Sequence, residues 1–258
     1  MKKLFAIIIL TALWISISAQ NAEIYNGDTI NKRDAKNLKT GKWRIKIDNM
    51  YSTGIYVNDL KEGQWLGYNT GSGRLIQVEN YIHGKKNGLS LLLNENGVIV
   101  EEKYYIDDVL DGDCRYFESE RLKTEISYKY GKINGSKRTF YDSGKLQEES
   151  QYVDNIRNGE GRWYYTSGRI STVINYKNGN FEGMQTSYYE NGNTMSEQNF
   201  KNNVEEGEHK EYYEKGQMKI QGMYVNGKKE GEWKEFDENA KLIKTTVFKG
   251  GEEVKKKK

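Results

Sequence analysis

The sequence predicts an all-β fold, an elongated antiparallel sheet of about nine tandem β-hairpins. Three observations predict it. Glycine recurs along the chain with spacings of 22, 25, 24, 23, 24, 24, 24 and 24 residues. Aromatic residues recur at fixed distances after these glycines. The chain also has 20 Tyr and no Pro, so aromatic side chains can supply the burial that a chain with only 36% hydrophobic residues otherwise lacks.

The periodic glycines mark the start of each unit, because internal repeats at such periods are typical of stacked arrays. They are Gly41, Gly63, Gly88, Gly112, Gly135, Gly159, Gly183, Gly207 and Gly231. In the stretch YVNGKKEGEW, Tyr224 closes one strand, Gly227 permits a turn, and Gly231 and Trp233 begin the next strand. Because turns interrupt the chain about every eight to twelve residues, helices of ordinary length are excluded.

Each unit has the composition of a hairpin. GEHKEYY is a short, Tyr-rich strand, EKGQ is a turn with Gly at a left-handed position, and QMKIQGMY is a second strand. In that second strand Met218, Ile220 and Tyr224 have the same parity and share one face. Nine such units give eighteen strands, which at ~4.8 Å spacing form a sheet very roughly 85 Å long before twist shortens it.

Two aromatic positions recur in the units, and we expect both to be buried, since a lone hairpin is marginal in water and must pack on its neighbours. The first lies five residues after the glycine, at Tyr68, Leu93, Phe117, Phe140, Tyr164, Tyr188, Tyr212 and Phe236. The second lies about seventeen residues after it, at Tyr81, Tyr105, Tyr128, Tyr152, Tyr176, Phe200, Tyr224 and Phe248.

The N-terminus predicts export. Lys2 and Lys3 precede the apolar stretch LFAIIILTALWISIS, and a small residue stands at Ala19, as in a secretory signal peptide cleaved near residues 19–20. The alternative is an uncleaved membrane anchor. The predicted divisions are a signal peptide at 1–19, a lead-in or cap at 20–40, the hairpin array at 41–254 and a basic tail at 255–258. The final location would be periplasmic, outer-envelope or secreted.

No catalytic, metal or cofactor site is predicted, and the chain does not resemble an enzyme. His83 and His209 are predicted to be solvated surface residues, and Cys114 a small strand residue without a nearby His to activate it. As the only cysteine, it excludes an internal disulfide and a zinc cluster. Adjacent acids such as Glu148 and Glu149 point to opposite faces of a strand. The net charge is only +3 with both signs interspersed, which argues against a nucleic-acid partner.

Two surfaces are candidates for binding. Tyr141, Tyr165, Tyr189 and Tyr213 each follow the first aromatic position by one residue, so they are expected to form an exposed tyrosine ladder on the opposite face. The alternative is that a single-layer sheet needs aromatic support on both faces. The second surface is the terminal VKKKK, which would attract anionic phospholipid; its alternative is a solvated tail.

The pattern resembles the MORN repeat, and more closely its bacterial variant. GMQTSYYENGNTMSEQNFKNN and GEHKEYYEKGQMKIQGMYVNGKKEG carry the motif nearly in full, and the resemblance extends from residue 41 to about 254. Local departures are SERL in place of a Gly turn in the fourth unit, LLL in place of an aromatic pair in the third, and Ala240 in the ninth. The resemblance implies a scaffold that binds proteins or phospholipid head groups. Some bacterial variant arrays are described as antitoxins, so it also implies a toxin as one class of partner.

These observations lead to one leading hypothesis and one alternative. The leading hypothesis is an exported, non-catalytic scaffold for a protein partner at the cell envelope, with an antitoxin or immunity role as a special case. The alternative is a phospholipid-associated module. The sequence identifies no partner by itself, since fold resemblance does not fix function.

Overall fold

The computed structural model describes residues 22–255. The predicted signal peptide and the last three lysines of the predicted basic tail lie outside the described residues. The described part is all β, as predicted. Its strands are β1 (Glu23–Tyr25), β2 (Asp28–Ile30), β3 (Lys32–Arg33), β4 (Lys39–Ile47), β5 (Met50–Val57), β6 (Leu60–Asn69), β7 (Leu75–Ile82), β8 (Lys85–Lys86), β9 (Gly88–Leu93), β10 (Ile99–Ile106), β11 (Val109–Leu110), β12 (Gly112–Glu118), β13 (Arg121–Lys129), β14 (Lys132–Phe140), β15 (Leu146–Val153), β16 (Ile156–Tyr164), β17 (Ile170–Lys177), β18 (Asn180–Phe181), β19 (Gly183–Tyr188), β20 (Thr194–Lys201), β21 (Val204–Tyr212), β22 (Met218–Val225), β23 (Lys228–Phe236), β24 (Leu242–Lys249) and β25 (Glu252–Glu253).

The strands pair in chain order, each antiparallel to the one before it. The short strands β8, β11 and β18 are the first residues of the strands that follow them, so the array contains the eighteen long strands that nine hairpins require. Within residues 22–255 the first strands do not pair with the last, and the sheet is one open antiparallel layer. Its two long borders carry different turns. We call the border with the turns inside each unit the hairpin rim, and the border with the turns between units the joint rim.

Turns at the hairpin rim place glycine in the left-handed region, as predicted. The φ angles of Gly97, Gly144, Gly168, Gly192 and Gly216 lie between +80° and +96°. The two departures from the motif adopt the same sign of φ without glycine: Ala240 has φ +60°, and Ser119 and Glu120 form a two-residue turn with φ +48° and +65°. Each such residue carries a steric cost that glycine would avoid.

The periodic glycines that start the units are also conformationally required. All nine, from Gly41 to Gly231, have positive φ, between +65° and +121°. An L-residue with a Cβ is disfavoured in that region, which explains why this position is invariant across units whose other residues vary. The predicted structural role of these glycines therefore has a physical basis.

The joint turns alternate between two kinds of turn residue, Asx and Gly. A joint of the same kind therefore recurs every 47–49 residues, twice the length of one unit. In every second joint the second turn residue is Asp59, Asp108, Asn155 or Asn203, and its side-chain oxygen accepts a backbone N–H 20–22 residues earlier at 2.6–2.7 Å. In the other joints that residue is Gly84, Gly131, Gly179 or Gly227. There an aliphatic side chain of the previous joint, such as Val204 beside Gly227, stacks on the turn.

The innermost side chains are not the ones that the sequence pattern indicated. The aromatic position five residues after each periodic glycine was predicted to be buried and is half-buried in the structure. The most deeply buried side chains lie two residues after the glycine in some units, at Trp43, Trp65, Cys114 and Trp233, and fifteen residues after it in others, at Ser150 and Ile174. The position near seventeen fits the prediction in part, because Tyr81 and Tyr176 are buried together with Tyr56 of the shorter first unit, while the other members are half-buried.

Two of the tryptophans lie directly on glycines of the preceding unit. A Cβ added to Gly54 would stand 2.4 Å from the Trp65 ring, and one added to Gly222 would stand 2.2 Å from the Trp233 ring. Neither glycine has positive φ, so they are required for space and not for conformation. The single-layer sheet thus creates its core by laying an indole flat against the bare backbone of a neighbouring strand.

Substitution at a joint glycine tests the turn conformation. Gly227→Val should lower the free energy of unfolding by on the order of 1–2 kcal/mol, because a β-branched residue would have to adopt φ +74°. Gly131 and Gly179 should respond alike, since their φ angles are +76° and +85°. Urea denaturation followed by fluorescence measures the change. Gly71→Val is the matched control, because Gly71 has no positive φ; equal stability of all four variants would contradict this account of the joints.

Candidate binding surfaces

The tyrosine ladder lies on the hairpin rim and is half-buried, so the expectation of an exposed ladder was wrong. Each hydroxyl donates to a backbone carbonyl of the next unit. Tyr141 donates to Tyr164 O at 2.6 Å, Tyr165 to Tyr188 O at 2.6 Å, Tyr189 to Tyr212 O at 2.7 Å and Tyr213 to Phe236 O at 2.9 Å. The four residues therefore tie five successive units together, which supports the alternative of a structural role.

A register shift explains why simple strand parity failed for these tyrosines. The pairing slips by one residue just before the end of each first strand, for example between Trp163 and Tyr164. The ladder residue consequently begins the turn and does not continue the strand: Tyr165 N–H donates to Arg169 O, and Gly168 N–H donates to Tyr165 O. Its ring can then lean along the rim towards the next hairpin.

The ladder nevertheless borders an open surface. Between the last two tyrosines the turns enclose a groove of ≈ 730 Å³. Tyr189 and Tyr213 line it together with Asn191, Glu214 and Lys215. Aromatic ring surface beside amide and charged groups is a combination used in protein and peptide recognition. The binding role assigned to the ladder from the sequence remains a prediction.

One face of the sheet carries the buried aromatic residues, which we call the aromatic face. Its rings pack edge-to-face, with centroids 4.9 Å apart for Tyr56 and Trp65 and 5.0 Å apart for Tyr224 and Trp233. Cations cover them. The Lys61 ammonium lies 4.4 Å from the Trp65 centroid, and burial lowers the pKa of Lys61. Such contacts stabilise the aromatic face while the ammonium group stays near solvent.

The opposite face carries an alternating ion ladder. Five cross-strand neighbours on β10 and β12–β15 follow one another as Glu102, Arg115, Glu125, Arg138 and Glu149. Arg115 Nε donates to Glu125 at 2.8 Å, and Arg138 Nε donates to Glu149 at 2.8 Å. These hydrogen bonds raise the pKa of both arginines. Each arginine of the ladder lies between two glutamates, so its charge is compensated.

The joint rim combines exposed aliphatic residues with exposed lysines. The aliphatic residues are 38–52% exposed, and they are Val57, Leu60, Ile82, Ile106, Val109, Val153, Ile156, Val204 and Val225. The lysines are Lys85, Lys129, Lys132, Lys177, Lys201, Lys228 and Lys249. This composition is typical of surfaces that rest on an anionic membrane, where apolar groups enter the head-group boundary and lysines meet phosphates. The sequence pattern indicated lipid contact by the tail and gave no sign of this rim.

The N-terminal hairpin forms a further cavity. Strands β1 and β2 fold onto the face of the ion ladder, where Asp28 pairs with Lys42 at 2.7 Å. Asn31 fixes the connection, since its N–H donates to Lys42 O and its side chain accepts Arg44 N–H at 2.9 Å. Between the hairpin and the sheet lies a cavity of ≈ 420 Å³ lined by Tyr25, Arg44, Tyr51, Thr53 and neighbouring residues.

The two histidines and the cysteine have no reactive partners among the described residues. His83 is exposed as predicted, but the prediction for His209 was wrong: its side chain is only 16% exposed. The ring stacks on Trp233 at 5.4 Å, and its two nitrogens face Gln198 and Glu211. It occupies the buried position two residues after its periodic glycine, a column that sequence reasoning did not recognise. Cys114 is fully buried in β12, and burial raises the pKa of its thiol.

The acidic pairs behave as strand parity predicts. Glu149 accepts from Arg138 on the ion-ladder face, while Glu148 accepts from Arg157 and Ser150 on the other. In the part of the chain that the structure describes, no three His, Cys, Asp or Glu residues are placed to hold a metal ion. Over residues 22–255 there is also no apolar helix of the length that a membrane crossing requires.

Comparison with known proteins places the repeats in a family. The model of the MORN repeat variant matches residues 133–154, 157–178, 181–202, 205–226 and 229–249. A search of curated proteins gives no match. Among solved structures, a chain of the GtfA/B complex bound to UDP and GlcNAc is 14% identical over 46% of this chain and 23% of that one, with a TM-score of 0.21. A likeness at this TM-score does not establish a shared fold or function. Residues 133–249 of the chain thus form five consecutive MORN repeat variant units.

Proposed function

We propose that this protein is an exported, non-catalytic scaffold that binds a protein partner at the cell envelope. The observation that carries the proposal is the single-layer sheet. Eighteen long strands leave two faces and two rims accessible to other molecules. A surface of this shape suits a macromolecule, which can contact several units at once. The MORN repeats support the scaffold role, and the N-terminal sequence supports export.

The hairpin rim near Tyr189 and Tyr213 is the proposed contact. The rings of these tyrosines line the ≈ 730 Å³ groove, although their hydroxyls are already bonded within the protein. Recognition would therefore use ring area together with the neighbouring side chains of Asn191, Glu214 and Lys215. Aromatic residues near the centre of a contact commonly contribute most of its affinity.

Site-specific photo-crosslinking tests this contact. A photo-reactive residue at Lys215, in the groove, should capture a discrete envelope protein that mass spectrometry identifies. The same residue at Lys177, on the joint rim, is the matched control and should not capture it. Replacing Tyr165, Tyr189 and Tyr213 by Ser should abolish capture, while replacing them by Phe should preserve it, because Phe keeps the ring. Circular dichroism would verify the fold of each variant.

The proposal fails if Lys215 and Lys177 capture the same proteins, or if the Ser and Phe variants behave alike while folded. Should the captured partner be an exported toxin, the scaffold would act as an immunity protein, the special case that the family resemblance implies. An antitoxin function would then appear as loss of toxin inhibition in the Ser variant.

Phospholipid binding is the second candidate, and the joint rim is the observation that favours it. If the rim contacts lipid, the protein should sediment with vesicles of phosphatidylcholine and phosphatidylserine, and raised salt should weaken the association by screening the lysines. Replacing Ile82, Ile106 and Val153 by Ser should weaken it at every salt concentration. Deleting Lys255–Lys258 distinguishes binding by the rim from binding by the tail, since an association driven by the tail would be lost by that deletion alone.

A further inference from the structure

We propose that the cavity between the N-terminal hairpin and the sheet is a binding site for a small organic anion, held by Arg44. The ligand class is a molecule with a carboxylate or phosphate group and a body about the size of a monosaccharide. The proposal does not depend on the scaffold function, because it concerns a different surface and a different kind of ligand.

The first argument is the position of the arginine. The Arg44 guanidinium contacts two aromatic rings, 4.3 Å from the Tyr25 centroid and 3.8 Å from the Tyr51 centroid. Contacts of this kind use the face of the guanidinium and leave its in-plane N–H groups as the available donors. Those donors are arranged as a planar fork that matches the two oxygens of a carboxylate or phosphate.

The second argument is the contrast with the other arginines of the same column. Arg44, Arg115, Arg138 and Arg162 each lie three residues after their periodic glycine, and Arg162 pairs with Glu160. Arg115 pairs across the strands with Glu125, and Arg138 pairs with Glu149. The residue opposite Arg44 is instead Thr53. Among residues 22–255, no side-chain hydrogen bond or ion pair is made by the Arg44 guanidinium, so the charge that glutamate supplies elsewhere is missing here.

The third argument is the composition of the walls. The cavity of ≈ 420 Å³ is lined by tyrosine, threonine and asparagine side chains, including Tyr68, Asn69 and Thr70, and by no acidic residue among those described. The acid on the adjoining hairpin, Asp28, is already paired with Lys42. One uncompensated cation among hydroxyl and amide groups favours an anion that carries further hydroxyls. The anionic group of such a ligand would pair with Arg44, and its hydroxyls would hydrogen-bond to the hydroxyl and amide groups of the wall.

NMR titration of the purified protein tests the proposal, with glucuronate, inorganic phosphate and uncharged glucose as probes. Saturable shifts of the Arg44 side chain and the Tyr25 and Tyr51 rings are expected with glucuronate, phosphate or both, and not with glucose. Saturation by glucuronate alone assigns a carboxylate, and saturation by phosphate alone assigns a phosphate. Absence of saturation with both anions overturns the proposal.

Two variants and one control decide whether Arg44 is responsible. Arg44→Gln should weaken binding by about tenfold or more, because a charge-assisted bidentate contact is lost. Thr53→Glu should abolish binding by supplying the carboxylate that the other arginines have, with the melting temperature unchanged or raised. Arg138→Gln removes a compensated arginine of the same column and should leave the affinity unchanged. Binding that persists in both folded cavity variants, or that is lost equally in Arg138→Gln, overturns the proposal.

Discussion

Trp65→Ala is expected to lower the free energy of unfolding by about 3–5 kcal/mol, which is the usual cost of truncating a buried Trp. The indole is 1% exposed and packs edge-to-face between Tyr56 at 4.9 Å and Tyr81 at 6.4 Å. Its Nε1 donates to Ile55 O at 3.2 Å. No second layer of structure lies over this face in the described residues, so the sheet has little else that could fill the space.

Urea denaturation with fluorescence detection measures the loss, and Trp163→Ala is the matched control. Trp163 is also a strand residue, but it is only half-buried, so its truncation should cost clearly less. Repeat arrays unfold approximately as a sum of unit stabilities and nearest-neighbour terms. Loss of Trp65 should therefore melt the N-terminal units first. Equal losses in the two variants would contradict the assignment of Trp65 as a core residue.

The hairpin count and turn chemistry were predictable from the sequence because they depend on backbone conformation. The first position of each unit has positive φ and is glycine in all nine units, so the periodic glycines keep their interval even where neighbouring residues change. The same regularity misdirected the prediction of the core. The aromatic column five residues after the glycine is nearly uniform in sequence, and regularity was taken as a sign of burial, although those rings are half-buried in the structure.

The column that holds the buried tryptophans is chemically irregular, so a search for repeated residues does not detect it. Two residues after the periodic glycine stand Trp, Ser, Cys, Lys, Gly, Gln and His in different units. Two of its tryptophans are matched by a glycine of the preceding unit, Trp65 by Gly54 and Trp233 by Gly222. Such complementarity between units cannot be read from the positions of one column alone. The alternation of Asx and Gly at the joints, by contrast, was present in the sequence and could have been found by comparing every second unit.

The candidate sites were harder to predict for a related reason. The tyrosine ladder was found as a pattern, but the one-residue register shift that moves it to the rim is invisible in the sequence. The Arg44 cavity depends on a hairpin at residues 23–30 that belongs to no repeat. Only docking of that hairpin brings Tyr25 to the guanidinium of Arg44.

Gly222→Ala is expected to be the most damaging single-methyl change in the C-terminal half of the array. The added Cβ would lie 2.2 Å from Trp233 Cδ2 and 2.3 Å from Cε2, distances at which the ring or the strand must move. The ring has little freedom, since Tyr224 packs against it at 5.0 Å and His209 at 5.4 Å. Overpacking of this kind typically costs about 1–3 kcal/mol. Gly71→Ala, where the nearest atom is 3.4 Å away, should cost within about 0.5 kcal/mol, as surface changes do.

A double-mutant cycle identifies the clash as the cause. If Gly222 is required only because Trp233 lies on it, the alanine should be tolerated once the indole is gone. The double variant Gly222→Ala, Trp233→Ala should then be about as stable as Trp233→Ala alone, giving a coupling within the range of about 0.5–3 kcal/mol that contacting residues show. Strictly additive losses in urea denaturation would instead mean that Gly222 serves the backbone, and that the indole-on-glycine contact is not what holds neighbouring units together.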